Sequence, residues 1–168
     1  MEKQEEKKSL EAKKSLEEKA YNKALDFLSF RPRTIAEMRS YLKKRGFSDE
    51  AESVITRLND LGYLNDVSFA RSWIIDRAQN KNLGKRRLRE ELIKRGISRE
   101  IIDEEFAANY DESQESERAL TLAKKRLPHL ENLETTIARR RLTQFLIRQG
   151  FSPTTSWEVS QKLLPEEF

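Results

Sequence analysis

The sequence predicts an all-α protein of tandem three-helix repeats, and three observations carry that expectation. Apolar residues recur at helical spacing, as in Ala51, Val54, Ile55, Leu58 and Leu61, and no stretch alternates as a strand would. One helix–glycine–helix junction is spelled three times, as KKRGFSDEAESVI from Lys43, IKRGISREII from Ile93 and IRQGFSPTTSW from Ile147. Hydrophobic residues make up 36% of the chain and charged residues 37%, a balance that suits thin helical modules sharing faces better than one thick core.

Residues 1–20 read as a charged N-terminal extension. Its first nineteen residues hold six lysines and six glutamates, with Leu10 and Leu16 among the few apolar positions. Strong helix formers and Glu–Lys neighbours predict a solvated helix leading into Tyr21–Phe30. The first repeat, 21–65, then has helices near 22–30, 34–45 and 48–61. Thr34 with Glu37 three residues on forms a capping box that opens the middle helix.

The second repeat, 66–112, has helices near 66–80, 84–95 and 98–109, marked by Phe69, Ala70, Trp73 and Ile74 and then by Ile101, Ile102 and Phe106. The third, 113–168, has helices near 113–127, 131–149 and 152–164. Gly46, Gly96 and Gly150 set the register at helix stops, while Gly62 and Gly84 mark other helix ends. Ser48, Ser98 and Ser152 each stand two residues after a register glycine, in position to cap the next helix, and Pro153 takes a first-turn place where proline costs nothing. Trp73 and Trp157, with Phe69 and Phe151, are read as core residues rather than nucleobase platforms.

Charge divides by helix. Segment 31–45 carries six basic residues against Glu37, and segment 81–99 carries eight against Glu90 and Glu91. Segment 100–117 has eight acids and no bases, and Arg139, Arg140 and Arg141 lie on the third repeat's middle helix. The helix dipole accounts for Lys43, Lys44, Arg45, Lys94 and Arg95 near C-termini, but it opposes Lys85, Arg86 and Arg87 at the start of theirs. With Leu88 and Leu92 inward, Arg86, Arg87 and Lys94 are expected to face water. Lys85 and Arg89 fall beside the apolar edge, where they can lay their stems on the core and pair with acids of the next helix. A basic face of this kind holds phosphates by counterion release or meets an acidic protein surface. The acids after the glycines (Asp49, Glu50, Glu52; Glu100, Asp103, Glu104) argue against a sequence-reading helix-turn-helix.

Several chemistries are excluded. The chain has no cysteine, hence no disulfide or thiolate metal site, as expected of a reducing compartment. No apolar run reaches the roughly 20 residues of a membrane span, and the charged N-terminus is no signal peptide, so a soluble cytoplasmic protein is expected. His129, the single histidine, sits beside Pro128 in an expected loop. Leu83-Gly84-Lys85-Arg86 lacks the first glycine and the hydroxyl residue of a P-loop. No carboxylate pair stands out as acid and base. The reading is of no enzyme, with no catalytic residue, cofactor or metal.

The strings GYLNDVSFARSWI (Gly62–Ile74) and LGKRRLREELIKRGIS (Leu83–Ser98), preceded by TIAEMRSYLKKRGFS (Thr34–Ser48), resemble the RecX family of recombinase regulators. The resemblance covers roughly residues 21–164 and is strongest over 34–106. It is looser in the third repeat, where Gln149 replaces the basic residue before the glycine. It implies an elongated, curved array of three-helix repeats. It also implies a non-enzymatic, monomeric protein that binds the RecA recombinase and its filament on single-stranded DNA. Such a protein restrains filament growth, ATP hydrolysis and strand exchange in recombination and DNA repair, with direct DNA backbone contact possible. Tyr63, Leu64, Phe69, Ala70 and Trp73 read as structural, joining the first repeat to the second. The partner- or DNA-binding candidates are the basic residues of the middle helices: Arg39, Lys43 and Lys44; Lys85, Arg86, Arg87, Arg89 and Lys94; Arg139, Arg140 and Arg141. A stand-alone nucleic-acid-binding module and a helical scaffold for an unrelated protein are the alternative readings.

Overall fold

The computed structural model describes residues 2–165, with side chains from residue 11 onward; the side chain of Leu10 lies outside the described residues. The helices in order are α1 (Glu2–Ser29), α2 (Ile35–Lys44), α3 (Ala51–Asp60), α4 (Asp66–Gln79), α5 (Lys85–Lys94), α6 (Arg99–Asn109), α7 (Glu115–Arg126), α8 (Thr135–Arg148) and α9 (Pro153–Leu163). Short 3-10 turns at Glu112–Gln114 and Leu127–His129 flank α7, and no strand occurs among the described residues. The chain is therefore all-α, in three tandem three-helix domains. Helix α1 runs without a break from the charged N-terminal stretch through residues 20 and 21. The helices pack in two compact units, divided at Phe69, with Arg95–Ile97 belonging to the first.

In the first unit, α1, α2 and α3 close over Ala20, Ala24, Met38, Leu42, Val54, Leu58 and Leu64. The alanines let α1 approach closely, and each buried leucine contributes roughly 2 kcal/mol of transfer free energy. Thr34 and Glu37 form the predicted capping box at the start of α2. The Thr34 hydroxyl also donates to the carbonyl of Arg95 at 2.7 Å, and Glu37 pairs with both Arg31 and Arg95. Asp66 Oδ1 accepts from the Ile35 amide at 2.9 Å. Phe27 stacks on Tyr41 with ring centroids 4.0 Å apart, and the Arg33 guanidinium lies over the other ring face of the stack, 3.8 Å from the Phe27 centroid.

Three expectations for this unit need correction. Ser48 does not cap α3: residues 48–50 form a turn, Glu50 takes the cap position, and no side chain bonds there. The serine stands too early because the helix starts at Ala51. Leu61 does not continue the apolar stripe but is exposed, since it lies beyond the last turn of α3. Tyr63 is 60% exposed rather than structural; after the turn at Gly62, with φ of +75°, the chain puts Leu64 into the core and leaves Tyr63 outside.

In the second unit, α7, α8 and α9 enclose Ala119, Ala123, Leu142, Leu146, Phe151 and Val159. Ser98 and Ser152 cap α6 and α9 as predicted, accepting from the amides of Ile101 and Thr155, and Pro153 opens α9. Helices α4, α5 and α6 bury Ile74, Ala78, Leu88, Leu92, Ile102 and Phe106. Glu105 on the acidic α6 is buried as well. Arg71 meets it through two bonds, at 3.0 and 3.1 Å, and the Asn109 amide donates to it at 2.7 Å. Trp73 is half-buried, with Nε1 donating to Glu91 at 3.0 Å. Trp157 overturns its core assignment, being 56% exposed. On α9 the inward face is taken by Ser156, Val159 and Ser160, and a residue one place past Ser156 is turned by about 100° to the outside.

Candidate functional site

The middle helices α2, α5 and α8 carry the predicted basic residues, and their surroundings sort these into two kinds. Arg39 on α2 forms a two-bond pair with Glu52 of α3, Nη2 to Oε2 at 2.9 Å. The hydrogen bond from Arg39 holds the Glu52 carboxyl below its ordinary range and raises the arginine in turn. One turn on, Lys43 and Lys44 are exposed at the end of α2. Neither has an ion-pair partner among the described residues.

On α5, Lys85 pairs with Glu112 and Arg89 with Asp103, and both lie over the Phe106 ring, 5.8 and 5.4 Å from its centroid. This is the stem-on-core arrangement the helix periodicity predicts. Arg87 differs from expectation. Instead of facing water freely, its Nη1 donates to Gln149 Oε1 at 2.8 Å and its Nε reaches Glu91 at 3.4 Å. Arg86 is exposed, yet its guanidinium donates to the carbonyl of Ile147 in the last turn of α8, which also accepts from the Gly150 amide. Both arginines thus tie the start of α5 to the end of α8, which gives cations a role at a helix N-terminus that the dipole disfavours. Lys94, in the last turn of α5, is exposed with no ion pair among the described residues.

On α8, Arg139 is buried, at 9% exposure, and its Nη1 donates to Gln161 at 3.1 Å. Its side chain is therefore largely enclosed. Arg140 and Arg141 are exposed without ion pairs among the described residues. Arg148, outside the sequence-predicted set, is exposed in the last turn of the same helix, where a cation also suits the helix dipole.

Between α5 and the α8–α9 turn lies a depression of about 520 Å³, lined by Lys85, Arg86, Arg89, Glu115 and the Gly150–Pro153 turn. Its charge is largely compensated. Lys85 holds the Glu112 carboxyl low, while burial pushes Glu115 up. That environment makes a poor phosphate cage. On the middle helices, the exposed cations without carboxylate partners among the described residues are therefore Lys43 and Lys44 on α2, Lys94 on α5, and Arg140, Arg141 and Arg148 on α8. Such a set can attract a polyanion or an acidic protein face; it assembles no nucleophile and base. Among the described residues no cluster of His, Cys, Asp or Glu could hold a metal ion, and no helix is long and apolar enough to cross a membrane.

Comparison with known proteins places this architecture. Family models for the first, second and third three-helix domains of RecX match residues 20–58, 65–109 and 112–159. The regulatory protein RecX of Mycobacterium leprae is 40% identical over 146 residues, covering 85% of this chain and 84% of its own length. That of Prosthecochloris aestuarii is 36% identical over 147 residues, covering 87% and 94%. The crystal structure of RecX from Lactobacillus salivarius superposes with a TM-score of 0.75 at 26% identity, covering 89% of this chain and 97% of that one. With three successive domain models matched along its length, and with relatives this similar, the chain belongs to the RecX family of regulatory proteins.

Proposed function

We propose that this chain binds the RecA recombinase and its filament on single-stranded DNA, and that it restrains filament growth, ATP hydrolysis and strand exchange during recombination and repair in the cytoplasm. The protein acts by binding and not by catalysis. The observation that carries this reading is the set of exposed, carboxylate-free cations on the middle helices of all three domains, in a chain of a family named for regulation. A filament offers what such a set needs: closely spaced phosphates and protein surface together. Charge of this kind governs encounter and positioning more than sequence choice.

Sedimentation tests the proposal against stand-alone nucleic-acid binding. The protein is expected to co-sediment with recombinase filaments at salt concentrations where it no longer binds bare single-stranded DNA. Equal salt sensitivity on both targets would favour the stand-alone reading.

A further inference from the structure

Helix α8 has no acidic residue between Thr135 and Arg148, and Trp157 of α9 stands exposed beside it. A depression of about 360 Å³ is lined by Trp157 together with Thr136, Arg139, Arg140, Thr143 and Gln144. We propose that this α8–α9 face is a stacking site for an unpaired nucleobase, which lies on the Trp157 indole while Arg140 meets the adjoining phosphate. The inference deepens the function proposed above, on which it rests for the presence of single-stranded DNA.

Three features favour a base over a peptide. The indole is the one large apolar group lining the depression, and its other neighbours are hydroxyl, amide and guanidinium groups. Protein hot spots are instead packed clusters of apolar and aromatic groups that exclude water. The charge lining the depression is one-sided: it includes guanidinium groups and no carboxylate, and Arg140 has no ion pair among the described residues. Glu134 accepts from the Thr136 hydroxyl at 2.7 Å, and Glu158 follows Trp157 on α9, turned about 100° from it. Finally, Thr136, Arg140 and Gln144 recur at four-residue intervals on α8, so donors follow one another along a line, as a backbone-tracking groove requires. An aromatic platform within a basic groove is the general solution for single strands, because every base has a π-face.

The test uses the full chain without recombinase, so that failure here and failure of the proposed function are separate events. Binding of a labelled oligo-dT is compared with that of an abasic oligonucleotide of equal length, which has the same phosphates and no bases. Oligo-dT is expected to bind the wild type about 5- to 150-fold tighter, the range for one stacked base. Trp157→Ala should abolish that difference, and Arg140→Gln should weaken both ligands together. In Trp73→Phe protein, where Trp157 is the sole tryptophan, oligo-dT should quench the emission and the abasic strand should not. Equal wild-type affinities for the two strands would overturn the proposal, as would a preference that survives Trp157→Ala. Quenching by a poly-glutamate peptide with none by oligo-dT would assign the face to an acidic protein instead.

Discussion

Gly84 and Gly150 lie backbone against backbone. The Gly84 amide donates to the carbonyl of Gln149 at 3.0 Å, and the Arg86 amide donates to that of Gly150 at 3.2 Å. A Cβ placed on Gly84 would overlap the Gly150 carbonyl carbon and oxygen, and one on Gly150 would overlap the Arg87 amide. The second and third domains therefore meet through a contact that admits no side chain from either residue.

This predicts a hierarchy among glycines that look alike in sequence. Gly46 has φ of +87° with open space around it, so Gly46→Ala should cost only the left-handed strain, about 1–2 kcal/mol. Gly84→Ala, with ordinary φ but backbone in its way, should cost about 3 kcal/mol or more. Urea unfolding of the two variants checks the order; a smaller loss at Gly84 would contradict the contact.

Asp66 makes a second prediction. Its carboxylate accepts from the Ile35 amide, but burial raises its pKa above the ordinary value, the hydrogen bond only partly offsetting that. Asp66→Ala should cost about 1–2 kcal/mol, because the amide loses its acceptor. A carboxyl raised on folding binds its proton more tightly in the native state. Its unfavourable contribution is therefore full above the folded pKa and relieved as pH falls through it. Asp66→Asn keeps an oxygen acceptor and removes this titration. Lowering pH from 7 toward 4 should shift the stability difference in favour of wild type; a difference that stays flat would remove Asp66 as the cause.

Two of the arginine–glutamate pairs should differ in strength. Arg39→Ala breaks an exposed pair with Glu52 and should cost less than about 1 kcal/mol. Arg71→Ala leaves Glu105, 5% exposed, with a buried carboxylate held only by Asn109, and should cost about 2–3 kcal/mol. Thermal unfolding of both variants tests the contrast, and equal losses would mean that water reaches Glu105.

Most of the fold was legible because it is written locally. Helical period, the Thr34–Glu37 box and the serines at 98 and 152 act over three or four residues, and the structure keeps them. What was not legible acts over long sequence separations. Arg87 and Arg86 find Gln149 and Ile147 more than sixty residues away, so their charges read as free when they are not. Trp157 read as core because composition favours that, while the inward face of α9 is set by Ser156 and Ser160, two residues whose polarity disguises their burial. Arg139 and Arg140 are neighbours in one basic run, yet one is inside and the other outside. Periodicity can separate them only when the direction of the core is known.

The central claim is that partner-free cations on the middle helices act on a recombinase filament. Its most direct test is ATP hydrolysis by RecA on single-stranded DNA, with wild type compared against Lys43→Glu/Lys44→Glu/Lys94→Glu protein of unchanged helicity and melting temperature. These residues are exposed and make no ion pair among the described residues. Wild type is expected to inhibit hydrolysis at amounts far below those that saturate the DNA, and the triple variant to need at least about tenfold more. No inhibition by wild type, or equal inhibition by both, would contradict the account.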